Sequence, residues 1–261
     1  ERDIQVRGYT LRLPLDVLLV ASANPEDYTN RGRIITPLKD RFGAEVRTHY
    51  PLALDDEIAL IEQEAELVAE VPRHLLEVVA RFTRSLRESS AIDQGSGVSA
   101  RFAVAGAETV AAAALRRAAL TGEERAYARP VDLEAVPGVL RGKLEFTAGE
   151  EGREDEHLTH LLRTSIAATA RRHLRGIELT PLAEAVAESP VRTGERVPAI
   201  EVVAALPPID VLTEVGRRLG AEGTEDPGPM ASAAELALEL LYLTRRLAKD
   251  ASDDGETVSY G

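Results

Sequence analysis

Glu45-Val46-Arg47-Thr48-His49-Tyr50-Pro51-Leu52-Ala53-Leu54-Asp55-Asp56-Glu57-Ile58 is the stretch on which the fold turns. Up to Tyr50 apolar and polar side chains alternate, the period of a half-buried strand; from Pro51 onward the apolar spacing becomes three and four, the period of a helix. Ile58, Ile61, Leu67, Val68 and Val71 lie near one stripe, the opposite face is acidic, and Asp55 or Asp56 is placed to cap the N-terminus. The helical period recurs along much of the chain downstream. Pro72 precedes a helix over Leu75 to Leu86. After the loop Asp93-Gln94-Gly95-Ser96-Gly97, Ser99 caps an alanine-rich helix that runs to Leu120 and is stopped by Gly122. Its alanines let neighbouring helices approach closely. Leu133 to Phe146 is a fourth helical candidate, weakened by Pro137 and Gly138, and Ala148-Gly149-Glu150-Glu151-Gly152 reads as a boundary. Beyond it, Leu158, Leu161, Leu162 and Ile166 recur at helical spacing through Leu174, and Gly176 ends that element. Residues 177–229 read as short helices with irregular links, Ala231 to Lys249 as a last strong helix, and Asp250 to Gly261 as a polar, frayed end.

Upstream of the turning point the period is two. Ile4 to Leu13 alternates on both sides of Gly8, as a hairpin with one covered face does, and Pro14 stops it. Leu15-Asp16-Val17-Leu18-Leu19-Val20-Ala21 is nearly all apolar and rich in branched residues, the composition of a central strand buried on both faces of a parallel sheet. It ends at Ser22-Ala23-Asn24-Pro25, where the proline takes the chain out of the sheet. A loop holding Asp27, Thr29, Asn30 and Gly32 leads to a short amphipathic stretch through Leu38, and then to Phe42-Gly43 and the alternating strand 45–50.

Composition narrows the classes of function. The chain has 261 residues, 31 Lys+Arg against 44 Asp+Glu and a net charge of -13, which argues against a protein held to nucleic acid by phosphate contacts. It contains no cysteine, which excludes disulfides and thiolate chemistry and points to a cytosolic address. No apolar run approaches the roughly 18 residues a membrane span needs, and the beginning does not read as a signal peptide. The chain opens at Glu1 directly on strand-like sequence, the look of a fragment.

Phosphate chemistry is sought first among glycines and lysines. Gly138-Val139-Leu140-Arg141-Gly142-Lys143-Leu144 comes nearest to a phosphate-cradling loop and fails. Its spacer is one residue short, and Leu144 stands where Ser or Thr should hold magnesium. His157 and His160 are three apart on an expected helix with Glu154 or Glu156 nearby, but no general base is embedded between them and the segment is highly charged; a solvated helix face is the favoured reading. Aromatic residues are too sparse for base stacking. Asn24 has two readings, a turn device before proline or a ligand-contacting amide at the carboxyl end of a sheet strand. Arg41 is either paired with its neighbour Asp40 or a guanidinium presented to phosphate. Arg101 lies in the first turn of its helix, where the dipole disfavours a cation by a few tenths of a kcal/mol or more.

Ile4 to Val6, Leu11 to Leu13, Val17 to Val20, Ala23-Asn24-Pro25-Glu26, Leu38-Lys39-Asp40-Arg41-Phe42-Gly43 and Val98-Ser99-Ala100-Arg101-Phe102 together resemble the second half of an AAA+ ATPase of the magnesium-chelatase I-subunit and MoxR type. The resemblance covers about residues 1–148, and its most specific part is the Asn-Pro-Glu to Asp-Arg-Phe-Gly pairing. Val131 to Arg141 looks like the last lid helix of such proteins. The implied fold is mainly α, with the hairpin and last strands of an α/β core in 1–50, a helical lid in 51–148 and an additional helical domain in 149–261 that carries no family signature. The implied roles are residue-specific: Asn24 as the sensor that orients the attacking water, Arg41 as the arginine finger reaching a neighbouring subunit's ATP, and Arg101 as the lid sensor touching phosphate. ATP and Mg2+ are the implied cofactors, and a hexameric ring with a von Willebrand A partner protein is the implied assembly. The phosphate loop and the acidic strand that hold ATP and magnesium in this family are not in the chain, so the resemblance implies a piece inactive alone. The competing expectation is a non-catalytic helical protein-binding module. A DNA-binding activator built on a related ATPase is disfavoured by the charge.

Overall fold

Two consecutive positive φ angles, 50° at Arg7 and 86° at Gly8, turn the chain between β1 (Asp3–Val6) and β2 (Tyr9–Arg12). A two-residue turn of that hand matches the twist of the strands it joins. The pair is antiparallel, with Ile4 opposite Leu11 and Val6 opposite Tyr9. The computed structural model describes residues 3–12, 16, 18–22, 41–93, 97–252 and 257–261, and the chain divides into two units, 1–48 and 49–261.

Within the first unit the expectation of buried strands is not met. Ile4, Val6, Tyr9 and Leu11 are all exposed, so neither face of the hairpin is covered. Asp16 and Leu18 to Ser22 have no regular structure, and Leu18, Leu19 and Val20 face solvent. Glu45 to Tyr50, expected as a strand, is likewise irregular and exposed. The physical reason is common to both. A strand completes its hydrogen bonds only through neighbours, and among the described residues none pairs with either segment. Asn24 and the stretch leading to Leu38 lie outside the described residues.

The second unit is mainly helical. Its elements are α1 (Leu54–Glu64), α2 (Arg73–Glu88), α3 (Ala100–Thr121), α4 (Ala135–Leu140), α5 (Glu154–His173), α6 (Thr180–Glu188), β3 (Val191–Gly194), α7 (Ala199–Ala205), α8 (Asp210–Arg218), α9 (Pro227–Leu243), β4 (Lys249–Ala251) and β5 (Thr257–Tyr260). α1 begins one residue after Ala53, so Asp55 and Asp56 sit inside its first turn, where they complement the helix dipole, instead of capping it. The helix also stops sooner than its apolar stripe. Ile58 and Ile61 are buried on it, while Leu67, Val68 and Val71 fall in the link to α2.

α3 runs between Ser99 at its N-cap and Gly122 at its C-cap, the latter with φ 75° as a left-handed helix stop requires. α2 approaches α3 closely at a glycine: a Cβ at Gly106 would lie 2.9 Å from Val79 Cγ1. The region Leu133 to Phe146 is split into a 3-10 turn (Pro130–Glu134), α4 and a second 3-10 turn (Arg141–Lys143). Pro137 is tolerated because it lies in the first turn of α4, where no intrahelical N–H is needed.

α5 packs across α2 and α9, and one buried cluster runs from Ile58 through Leu158 and Leu236 to Tyr260. The core is therefore continuous across residues 148 and 149. α9 starts four residues before Ala231, since Asp226 caps it by accepting the Gly228 N–H at 2.8 Å and Pro227 takes the first helical position. The frayed end expected over Asp250 to Gly261 is instead structured in all its described residues but Ser252 and Gly261. β5 is the middle strand of an antiparallel sheet ordered β3-β5-β4, and Tyr260 is buried with its hydroxyl donating to Glu239 at 2.5 Å. No helix among the described residues is long and apolar enough to cross a membrane.

Candidate functional site

The start of α3 presents Arg101. Ser99 and Ala100 turn the chain into the helix, and Arg101 projects from its first turn, exposed and without an ion pair or hydrogen bond among the described residues. It borders an open depression of about 550 Å³ between α1 and α3, formed by Asp56, Ala59, Leu60, Gln63 and Glu64 on one side and Ala100, Arg101 and Val104 on the other. A lone guanidinium at a helix N-terminus adds its charge to unpaired backbone N–H groups, an arrangement that attracts anions.

What holds this corner in place is a buried ion pair. Glu57, fully buried on α1, accepts two hydrogen bonds of 2.7 Å from the Arg87 guanidinium at the end of α2. Arg87 Nε donates to the Val98 carbonyl at 2.9 Å, one residue before the N-cap of α3, and the Arg87 fork lies 4.2 Å from the centre of the Tyr50 ring. Arg84 adds donations to the carbonyls of Pro51 and Leu52. One arginine thus ties α1, α2, the start of α3 and the segment at Tyr50 together, using the planar, multi-donor geometry that lysine lacks. Sequence reading missed this clamp. Its only trace is a charged residue, Glu57, next to the apolar stripe of α1, and a periodicity argument assigns such a residue to the solvent face.

Arg41 belongs to the first unit, where it is exposed. Asn24 lies outside the described residues. The three positions singled out in sequence are therefore not seen together, and Arg101 is the one whose surroundings are described in detail.

The histidines resolve differently. His157 Nε2 lies 2.5 Å from Glu150 Oε2, His160 is exposed, and no group of three or more His, Asp or Glu among the described residues is arranged to hold a metal ion. His74 is buried against α9, 3.1 Å from the Ser232 hydroxyl, with the His173 ring 6.5 Å away. Burial first, and then the His173 charge, push its pKa down to about 3 against the pull of Glu77. Burial pushes Glu77 up, yet hydrogen bonds from His173 and Arg81 hold its carboxyl down at about 2. His74 and Glu77 are enclosed, and with the half-buried His173 they act as ties between α2, α5 and α9.

A second buried ionic group stands behind α3. Arg117 donates to both oxygens of Asp132 at 3.1 Å, to Glu123 at 2.6 Å and to the Tyr127 carbonyl at 2.6 Å. Arg129 donates to the carbonyls of Gly194 and Val197 and faces Glu235 at 3.4 Å. Burial raises the Glu235 pKa. No protein-family model, curated protein or solved structure matches the chain.

Proposed function

We propose that the chain is the C-terminal portion of a magnesium-chelatase-like AAA+ ATPase, which couples ATP hydrolysis to remodelling or metal-centre assembly in a partner protein. The observation that carries this reading is the placement of Arg101. It is exposed, unpaired among the described residues and set at a helix N-terminus, within the Val98 to Phe102 motif that follows Asn24-Pro25-Glu26 and Asp40-Arg41-Phe42-Gly43 in the order of that family. In this reading Asn24 orients the attacking water, Arg41 reaches the ATP of a neighbouring subunit, and Arg101 reports the state of the phosphates to the helical body. ATP and Mg2+ are held by parts of the polypeptide outside this chain, in a hexameric ring whose partner carries a von Willebrand A module. Fixed cations stabilise charge on the transferring phosphoryl oxygens, and a finger supplied in trans contributes on the order of 10³ or more in rate.

The deciding experiment uses the longer polypeptide with its nucleotide loop. Arg41→Ala abolishes ATP turnover, and mixing this variant with a subunit that has a defective nucleotide loop but keeps Arg41 restores it. Failure to complement would remove the shared site and with it the motor.

One observation favours the second reading, a non-catalytic helical protein-binding module. The depression beside Arg101 also carries Asp56 and Glu64, which repel phosphate. Under that reading Arg101→Ala leaves nucleotide affinity unchanged in the longer polypeptide; under the ATPase reading it lowers it.

A further inference from the structure

Residues 157–177 contain no Asp or Glu in a chain that carries 44 of them, yet they contain Arg163, Arg171, Arg172 and Arg175. Most of this run is α5 downstream of its acidic first turn. Arg163 and Arg171 lie eight residues apart, about a quarter turn from one another around a helix with 3.6 residues per turn. Both are exposed, as is Arg175 just past the helix end, and none of the three has an ion pair among the described residues.

The end of α8 brings two more cations to the same edge. Arg218 donates to the carbonyls of His173 at 3.4 Å and Arg175 at 3.3 Å, while Arg217 and Arg218 share Glu214. On the α2 side, Arg81 and Arg172 share Glu77. Seven arginines therefore meet three carboxylates along this edge, Glu77, Glu214 and Glu222, the last acting on Arg217. The helix dipole accounts for cations in the last turns of α5 and α8. It does not account for Arg163 in the middle of α5, nor for the absence of any carboxylate three or four residues from Arg163 or Arg171.

We propose that this edge, where α5 and α8 end, is a docking surface for an acidic segment of a protein partner. Guanidinium forks match carboxylates in planar, paired hydrogen bonds. Other polyanions fit less well. No Phe, Tyr or Trp occurs between Phe146 and Tyr242, so α5 and α8 carry none of the large rings of a base-stacking platform. No large apolar side chain is exposed on α5 or α8 to enter a membrane. The net charge of -13 repels a duplex at longer range, whereas a short acidic peptide makes all its contacts inside the patch. The proposal stands apart from the ATPase reading and does not depend on it.

The test is anisotropy of a fluorescein-labelled Asp/Glu-rich peptide against the full chain. Binding is saturable and weakens as salt rises; the triple reversal Arg163→Glu, Arg171→Glu and Arg175→Glu lowers affinity by about tenfold or more, equivalent to about 1.4 kcal/mol. The same charge change at Arg116, Arg125 and Arg153, exposed elsewhere, has a smaller effect. Far-ultraviolet circular dichroism verifies folding, and the corresponding triple Gln variant gives the same order of effect if the reversal fails to fold. Peptide binding indifferent to these changes overturns the proposal. So does tighter binding of duplex DNA or anionic vesicles through the same arginines, or self-association that the triple variant abolishes.

Discussion

Leu18, Leu19 and Val20 are 88%, 76% and 84% exposed, while Ile58, Leu75 and Val78, side chains of similar size, are fully enclosed. The first three belong to the unit 1–48 and the second three to the unit 49–261. Apolar content is not what separates them. An α-helix satisfies its own backbone and needs only one partner face, so α1, α2, α3, α5 and α9 close a core among themselves. A central strand needs neighbours on both edges before its side chains can be covered. Among the described residues of the first unit the hairpin β1–β2 supplies the one strand pairing, and the two units differ in the pairing and packing these residues find, not in their apolar content.

If the helical body stands on its own interior, breaking that interior has the largest effect. Arg117→Ala strands Asp132 and Glu123 without their cation in a site where the guanidinium is 2% exposed. Removing one partner of such a buried pair costs about 3–5 kcal/mol. Urea unfolding of the full chain checks it, and a loss of less than about 1 kcal/mol would mean the pair is compensated elsewhere.

Acid is the next largest perturbation and distinguishes the units by mechanism. His74 titrates at about 3 in the fold against 6.5 when free, so its neutral form belongs to the native state. The stability it confers is complete above pH 6.5 and is lost as pH falls toward 3, at up to about 1.4 kcal/mol per pH unit. Glu77 adds in the same direction below pH 4.5, because its carboxylate holds His173, Arg81 and Arg172. The thermal midpoint is expected to fall between pH 7 and pH 5. His74→Gln, which keeps a donor for Ser232 and cannot titrate, should flatten that fall; an unchanged slope would point to another group.

Close packing gives a smaller effect. Gly106→Ala sets a methyl group 2.9 Å from Val79 Cγ1 and 3.5 Å from Leu140 Cδ1. Overpacking costs about 1–3 kcal/mol and the better helix former returns about 1, for a net loss of about 1 kcal/mol. Stabilisation by the substitution would show that α2 and α3 can part without cost.

The comparison also explains which features were legible from residues alone. Ser99 and Gly122 mark the ends of α3 because capping is local chemistry. The four residues that α9 gains at its start came from Asp226 and Pro227, a cap signal equally local but hidden among the prolines of an irregular stretch. β5 was not recognised, because Thr257 to Tyr260 is too short for its alternation to stand out in a polar tail, and the strand that fixes it, β3, lies more than 60 residues earlier. The same holds at the candidate site. Arg101 could be placed in a first turn from the spacing after Ser99. The Glu57–Arg87 clamp behind it joins two helices across 30 residues, and no periodicity reports such a pairing.

The smallest expected effect is the sharpest test of the contrast. Leu19→Ser replaces an apolar side chain that is already three-quarters exposed, in a segment with no strand pairing among the described residues. Substitutions away from packed features change stability by about 0.5 kcal/mol or less, and the unfolding midpoint of the helical body is expected to stay within that range. The equivalent change on the other side of the boundary, Leu75→Ser, removes a fully enclosed side chain and costs about 2–5 kcal/mol for the cavity alone. If Leu19→Ser instead destabilised the chain as Leu75→Ser does, Leu19 would have to be covered in solution, and apolar content alone would again fail to separate the two segments.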